Sequence, residues 1–356
     1  MSDHDYEEAF EETKREQRAA RKQARKKDRS KYKKTDRDKH KRLLREDRER
    51  KLAKKNLLRG RVLSITPDEI VVECEGELYS CTLRGELKKE ISTDKNLIAL
   101  GDFALIEPEE KGIVDIEERN SVLSRQEHLR RRKQQVLAAN LDQVLITASV
   151  GKPPLKPSLV DRYIIATFKG NMSPIIVINK IDLLEKGSLE QKEFETFCTT
   201  YQALKIPVLA VSAETEEGIE KLKKQMQGKA SVFSGQSGVG KSSLINTMTG
   251  LTIPVGEVVE KTRKGVHTTT QAHLVPLEFG GWCIDTPGIR SFGIWELTKE
   301  DLFAYFPEIA SFSQECKFPN CTHTHEPHCA VKQALEEEKL SQMRFNSYCK
   351  LLNETL

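Results

Sequence analysis

The sequence predicts an α/β protein: a doubly wound parallel sheet, preceded by a small β-barrel and followed by a mostly helical module. Three observations carry this reading. Strand and helix patterns alternate from Leu141 onward, five short β-branched segments precede them, and three cysteines bunch with histidines at 316–329. The 356 residues suffice for two or three domains of roughly 150 residues each.

The first element, residues 1–56, is an arm rather than a domain. Residues 1–13 carry six acids (Asp3, Asp5, Glu7, Glu8, Glu11, Glu12) and no base, whereas 14–55 carry 22 Lys/Arg against 7 Asp/Glu, a net of +15. Residues 1–55 therefore sum to +9, and with +4 overall the remaining chain sums to −5. Leu43, Leu44 and Leu52 form no apolar stripe, so the arm cannot bury enough surface to fold alone and is expected to be disordered. A solvated spacer and an RNA-binding arm that orders on contact both fit, since a basic block seeks polyanions.

No apolar run approaches the roughly 18 residues needed to cross a bilayer, so no membrane partner is expected. The N-terminus begins acidic and never turns apolar, which argues against a secretory signal and a transit peptide. Five cysteines are scattered (Cys74, Cys81, Cys198, Cys283, Cys349), the pattern of free thiols rather than a disulfide framework. A soluble, cytoplasmic monomer follows.

Residues 57–120 read as the barrel. The segments 59–65, 69–73, 78–83, 102–107 and 112–117 alternate and are separated by turn formers such as Pro67-Asp68 and Glu75-Gly76. Five short strands in this span make an OB-fold the economical reading. Residues 121–140, with Arg125, Arg130, Arg131, Arg132 and Lys133, read as a basic connector.

The α/β domain is placed at 141–295. Its strands are 143–149, 174–179, 207–212, 230–234, 272–277 and 281–285, with helical patterns at 160–168, 190–201, 218–226 and 242–248. In such sheets the chemistry sits in loops at the strand ends. After strand 230–234 comes Ser234-Gly235-Gln236-Ser237-Gly238-Val239-Gly240-Lys241-Ser242-Ser243, which holds Gly-x-x-x-x-Gly-Lys-Ser and opens a helix. Its glycines let backbone amides turn inward around phosphate oxygens, and the helix dipole adds positive potential. Lys241 is expected to reach the β- and γ-phosphates and Ser242 to coordinate Mg²⁺. A Gly-rich turn without a ligand is the bland alternative.

Asn179-Lys180-Ile181-Asp182 ends strand 174–179. A carboxylate there can accept from the guanine N1–H and exocyclic amine, a face that adenine lacks, and a polar site left unpaired by the wrong base discriminates strongly. A strand end with a helix cap would give the same tetrapeptide; beside a P-loop, however, it selects a GTPase over an ATPase or a small-molecule kinase. Ser212-Ala213 ends the next strand and offers a backbone N–H to the guanine oxygen.

Asp285-Thr286-Pro287-Gly288 ends strand 281–285, where Asp285 would hold Mg²⁺ through water and the Gly288 amide would sense the γ-phosphate. His267-Thr268-Thr269-Thr270 is placed as the first switch loop, Thr268 or Thr269 being the metal-sensing residue; a polar turn before a strand is the alternative. Ile289 stands where Ras-like enzymes carry a water-orienting glutamine, so unaided turnover is expected to be slow and His267 becomes the candidate to position water. A loop histidine with a structural hydrogen bond competes with that role. Because guanine-side motifs precede phosphate-side motifs, the domain reads as circularly permuted.

Residues 296–356 read as helices around Cys316-x4-Cys321-x-His323-x5-Cys329, a closed thiolate and imidazole set for one structural Zn²⁺. His325 and His328 compete with His323, and free core thiols are the bland reading.

On these residues, together with Gln135-x-x-x-Ala138-Ala139-Asn140-x-Asp142, the chain resembles the ribosome small-subunit-dependent GTPase A family of bacteria, the circularly permuted GTPases of the YjeQ type. The resemblance spans about residues 57–350. It implies GTP/GDP and the small ribosomal subunit with its rRNA as partners, a role in late maturation of that subunit, and hydrolysis stimulated by it. The arm 14–55 is longer than the family leads one to expect, and Val266 stands where a basic residue is usual. A non-enzymatic RNA-binding scaffold is the competing reading; intact Lys241, Ser242, Asp285 and Asp182 argue against it.

Overall fold

The computed structural model describes residues 57–84, 97–126, 134–249, 272–285 and 299–355. The arm 1–56, the loop with His267, Thr268 and Thr269, and Thr286-Pro287-Gly288 lie outside them.

The first five strands are β1 (Leu58–Ile65), β2 (Ile70–Cys74), β3 (Glu77–Leu83), β4 (Phe103–Glu107) and β5 (Gly112–Ile116). They close into a barrel because β1 pairs with both β2 and β4, β4 pairs with β5, and β3 runs parallel to β5. Period-two alternation points Val62, Val72, Cys81, Ala104, Ile106 and Ile113 inward, where all are fully buried. Closure removes the exposed edges that a five-stranded sheet would otherwise present.

The segment expected as a basic connector carries an antiparallel ribbon of β6 (Val122–Gln126) and β7 (Gln134–Ala139). Its alternation is short, but Leu123, Val136 and Ala138 are buried, and this burial holds the ribbon in place. Asn140 follows in a left-handed conformation (φ 54°). Its Oδ1 accepts from the Asn120 amide (2.9 Å), its Nδ2 donates to the Gly101 carbonyl (3.1 Å), and its carbonyl accepts from Arg61 Nη2 (2.6 Å). One residue, between ribbon and sheet, is thus tied to the barrel by side chain and backbone together.

The α/β region comprises β8 (Gln143–Ser149), α1 (Pro157–Lys169), β9 (Ser173–Asn179), α2 (Leu189–Ala203), β10 (Val208–Ala210), α3 (Ile219–Met226), β11 (Ala230–Gly235), α4 (Lys241–Thr249), β12 (His273–Pro276) and β13 (Trp282–Asp285). The sheet order is β10-β9-β8-β11-β13-β12. All neighbours are parallel except β12, which runs antiparallel to β13 and so departs from the all-parallel expectation. β8 is buried along its whole length, as helices on both faces require. α1 begins at Pro157, ahead of its apolar periodicity, because proline suits a helix's first turn. Ser188 caps α2 by accepting from the Gln191 amide (3.1 Å).

β12 also pairs with β1, Ser64 opposite His273, so barrel and α/β sheet merge into one eleven-stranded sheet. The C-terminal module holds α5 (Lys299–Tyr305), α6 (Pro307–Ser313), α7 (Ala330–Glu336) and α8 (Gln342–Thr355). Leu302, Phe306, Ile309, Val331 and Tyr348 form its core, and Ile165 of α1 is part of it. Each such buried side chain contributes about 1.5–3 kcal/mol.

Candidate functional site

Strand β11 lies centrally, with β8 on one side and β13 on the other. The chain runs outward from β8 through β9 to β10, then crosses back to β11, so the order reverses between β8 and β11. Ligands of open α/β sheets bind at such a reversal, beyond the carboxyl ends of the strands. The loop 235–240 sits there.

Its glycines are required by geometry. Gly235, Gly238 and Gly240 have φ of 149°, 83° and 91°. A Cβ on Gly235 would come within 2.1 Å of the Thr147 carbonyl oxygen, and one on Gly240 within 2.2 Å of Asn179 Nδ2. The loop therefore lies directly on the ends of β8 and β9. α4 begins at Lys241, and the Leu244 amide donates to the Gly240 carbonyl (2.9 Å). Lys241 Nζ donates to the carbonyls of Gly235 (2.9 Å) and Gln236 (2.7 Å), inside the loop it is expected to serve. Ser242 and Ser243 follow in the first turn of α4, and Ser234 is buried in β11 beneath the loop.

The guanine-side residues are wired into the same loop. Buried Asn179 donates from Nδ2 to the Val239 carbonyl (2.9 Å) and accepts at Oδ1 from the Ala213 amide (3.1 Å). The donor and acceptor ends of Asn179 thus bridge the phosphate loop and the Ser212-Ala213 loop. Lys180, left-handed at φ 66°, extends Nζ to the carbonyls of Lys152 (2.6 Å) and Gly238 (2.7 Å). Asp182 accepts from the Ser212 hydroxyl (2.5 Å), which itself accepts from the Thr215 amide. Ile181 anchors the turn through its amide to the Val211 carbonyl (3.3 Å). The sequence motifs thus meet in space although 179–182 precede 235–242 by some fifty residues.

The loop after β8 was not foreseen as part of this site. Ser149 Oγ donates to the Pro153 carbonyl (3.0 Å), and Pro153 faces Gly238. The signal was Gly151-Lys152-Pro153-Pro154 directly after a strand at the sheet's centre. Asp285 ends β13, next to β11, so its backbone reaches the same rim.

In the C-terminal module the ligating atoms of Cys316, Cys321, His323 and Cys329 lie within 4.8 Å of one another, a group that could hold a metal ion. His323 Nδ1 is 3.3 Å from Cys329 Sγ and 3.6 Å from Cys316 Sγ, and the two sulfurs are 3.8 Å apart. Burial pushes the Cys321 thiol up to about 12 and the His323 imidazole down, toward its neutral form. His325 is exposed and points to Glu326, leaving His323 as the imidazole among the thiols.

A P-loop at the reversal point of a doubly wound sheet, cross-tied to an Asn-Lys-x-Asp turn that comes earlier in the chain, defines a circularly permuted P-loop GTPase. Comparison with known proteins agrees. A family profile described as RsgA GTPase matches residues 116–295. The "Small ribosomal subunit biogenesis GTPase RsgA" of Chlorobaculum parvum is 40% identical over 83% of this chain and 97% of its own length. Its namesake from Flavobacterium psychrophilum is 36% identical over 79% of this chain and 88% of its own. The crystal structure of YjeQ from Thermotoga maritima superposes with a TM-score of 0.67 at 31% identity, covering 84% of this chain and 98% of that one. YloQ, titled a circularly permuted GTPase, gives 0.64 at 26% identity over 84% and 95%. The chain belongs to the RsgA GTPase family.

Proposed function

We propose that this GTPase binds the small ribosomal subunit in the cytoplasm, acts in its late maturation, and hydrolyses GTP to GDP and phosphate with stimulation by the subunit. The observation that carries the reading is the double tie of Asn179 and Lys180 to the phosphate loop, which makes base and phosphate recognition one rigid unit. The printed names of the relatives, small ribosomal subunit biogenesis GTPases, supply the partner.

In this reading Lys241 and the amides of 235–242 take the phosphates, Ser242 and Asp285 hold Mg²⁺ with the nucleotide, and Asp182 reads the base. Thr268 or Thr269 and the Gly288 amide report the γ-phosphate, and His267 positions water when the subunit is bound. The Cys316, Cys321, His323 and Cys329 set fits zinc. Zn–S bonds of about 2.3 Å and Zn–N bonds of about 2.0 Å would place tetrahedral ligand atoms roughly 3.5–3.8 Å apart, and the separations of 3.6 and 3.8 Å from Cys316 Sγ support this reading. The ion would fasten the 316–329 loop to the helices. The barrel (57–120) and basic arm (1–56) bring the monomer to rRNA through phosphate contacts, with 121–140 joining the barrel to the catalytic domain (141–295) and the zinc domain (296–356) closing the chain.

The test is GTP turnover with and without purified small subunits. The subunit should raise the rate by about a hundredfold or more, as an added catalytic group does, and Lys241→Ala should abolish turnover in both arms. A rate indifferent to subunits would overturn the proposed partner.

A further inference from the structure

Helix α1 serves two cores. Val160, Tyr163 and Ile164 pack under the α/β sheet, while Ile165 packs in the C-terminal module. Its N-terminal end adjoins the nucleotide loop: Leu159, Val160 and Tyr163 line a small cavity together with Gln236 and Val239. The loop leading into it carries Lys152, whose carbonyl shares Lys180 Nζ with that of Gly238. Its outward stripe meets the C-terminal module through Arg162, paired with Glu354, and Phe168, stacked on Tyr305 at 6.3 Å between centroids.

At the centre of that contact lies a buried charge cluster. Asp161 of α1 is 0% exposed and Arg344 of α8 is 3% exposed, and the two are ion-paired. Arg344 Nε also donates to Glu308 Oε1 of α6 (2.6 Å), and its guanidinium lies 4.1 Å from the centroid of the Phe306 ring. Tyr201 of α2 donates its hydroxyl to Asp161 Oδ1 (2.6 Å). Burial pushes the Asp161 carboxyl and the Tyr201 phenol up, and although burial also opposes its charge, Arg344 is held protonated by Asp161 and Glu308.

Buried ion pairs contribute little net stability compared with apolar residues of the same size, yet their directional bonds allow one registry only. Here the registry fixed is that of the C-terminal module against the helix backing the phosphate loop. In chain order the module follows Asp285, the end of β13, after residues 286–298.

We infer that the Asp161–Arg344–Glu308 clasp couples the nucleotide loop to the C-terminal cysteine module, so that exchanging GDP for GTP alters the module's packing on α1. The coupling rests on the GTPase reading but not on the ribosomal one. Asp161, Arg344 and Glu308 are positioning residues, acting through α1.

The test is amide hydrogen exchange over 342–355 in the full-length protein with Mg²⁺ and either GDP or a non-hydrolysable GTP analogue. Wild-type exchange should differ by about fivefold or more between the two nucleotides, the lower range of allosteric coupling. Asp161→Asn combined with Arg344→Met, which removes the buried Asp161–Arg344 ion pair and keeps the volume, should bind both nucleotides as wild type does and lose the difference; Arg344→Lys should retain part of it. Equal exchange in the wild type with either nucleotide overturns the inference without any variant, as does a folded double variant that keeps the difference. If subunits fail to stimulate turnover while the exchange difference stands, the ribosomal partner falls and the clasp does not.

Discussion

Asn179 shows how much one side chain decides. Its amide group satisfies a carbonyl of the phosphate loop and an amide of the Ser212-Ala213 loop at once, and Gly240 lies so close that a methyl group there would displace it. Gly240→Ala is therefore expected to weaken GTP binding by about tenfold or more, roughly 1.4 kcal/mol, and isothermal titration would measure it. Glu326 is a second residue with a sharp expectation. Burial alone would raise its carboxyl, but the Thr322 amide and hydroxyl hold it down, at about 2 against an ordinary 4.5. A depressed carboxylate stabilises fully above the unfolded value and loses that contribution as pH falls through the folded one. Thermal stability of the 322–326 loop should thus decline between about pH 4.5 and about pH 2 in the wild type, and Glu326→Gln should flatten that decline.

Between elements, the contact of α1 with α8 depends on charges that cannot be removed one at a time. Arg344→Met alone strands Asp161 and Glu308 without their cation and should cost about 3–5 kcal/mol in urea unfolding. The Asp161→Asn, Arg344→Met pair should recover part of that loss, since the fully buried Asp161 is no longer charged and only Glu308, 18% exposed, keeps its charge without Arg344. The cysteine loop is the other element whose stability comes from outside regular structure. Chelation with EDTA is expected to lower the melting temperature of the C-terminal module, more so at mildly acidic pH, because thiols held high by burial must give up protons to bind a metal. Unfolding that ignores chelator would mean the sulfurs pack as ordinary thiols. The ribbon β6–β7 was hard to read at this scale: its buried residues, Leu123, Val136 and Ala138, are too few to stand out from the arginines around them.

For the whole molecule, the charge is unevenly distributed along the chain. With +9 on residues 1–55 and −5 on the rest, affinity for small subunits should fall steeply with salt, and deleting 1–55 should flatten the slope without changing GTP affinity. Filter binding across a salt series would show this. Permutation, too, is a property of the whole: the strands enter the sheet as β10-β9-β8-β11-β13-β12, so the reversal point, and the site with it, survives a change in where the chain begins. Local chemistry let the sequence alone determine the barrel strands, the phosphate loop, Asn179-Lys180-Ile181-Asp182 and the cysteine spacing, because turn formers, two-residue alternation and ligand intervals are written over a few neighbouring positions. Only the tertiary structure decided that Ala213 serves Asn179, that Lys180 spans two loops, that β12 joins the barrel to the sheet, and that Asp161 meets Arg344 across 183 residues of chain. Those contacts form between groups whose nearness is set by packing, and packing depends on the whole chain at once rather than on any stretch of it.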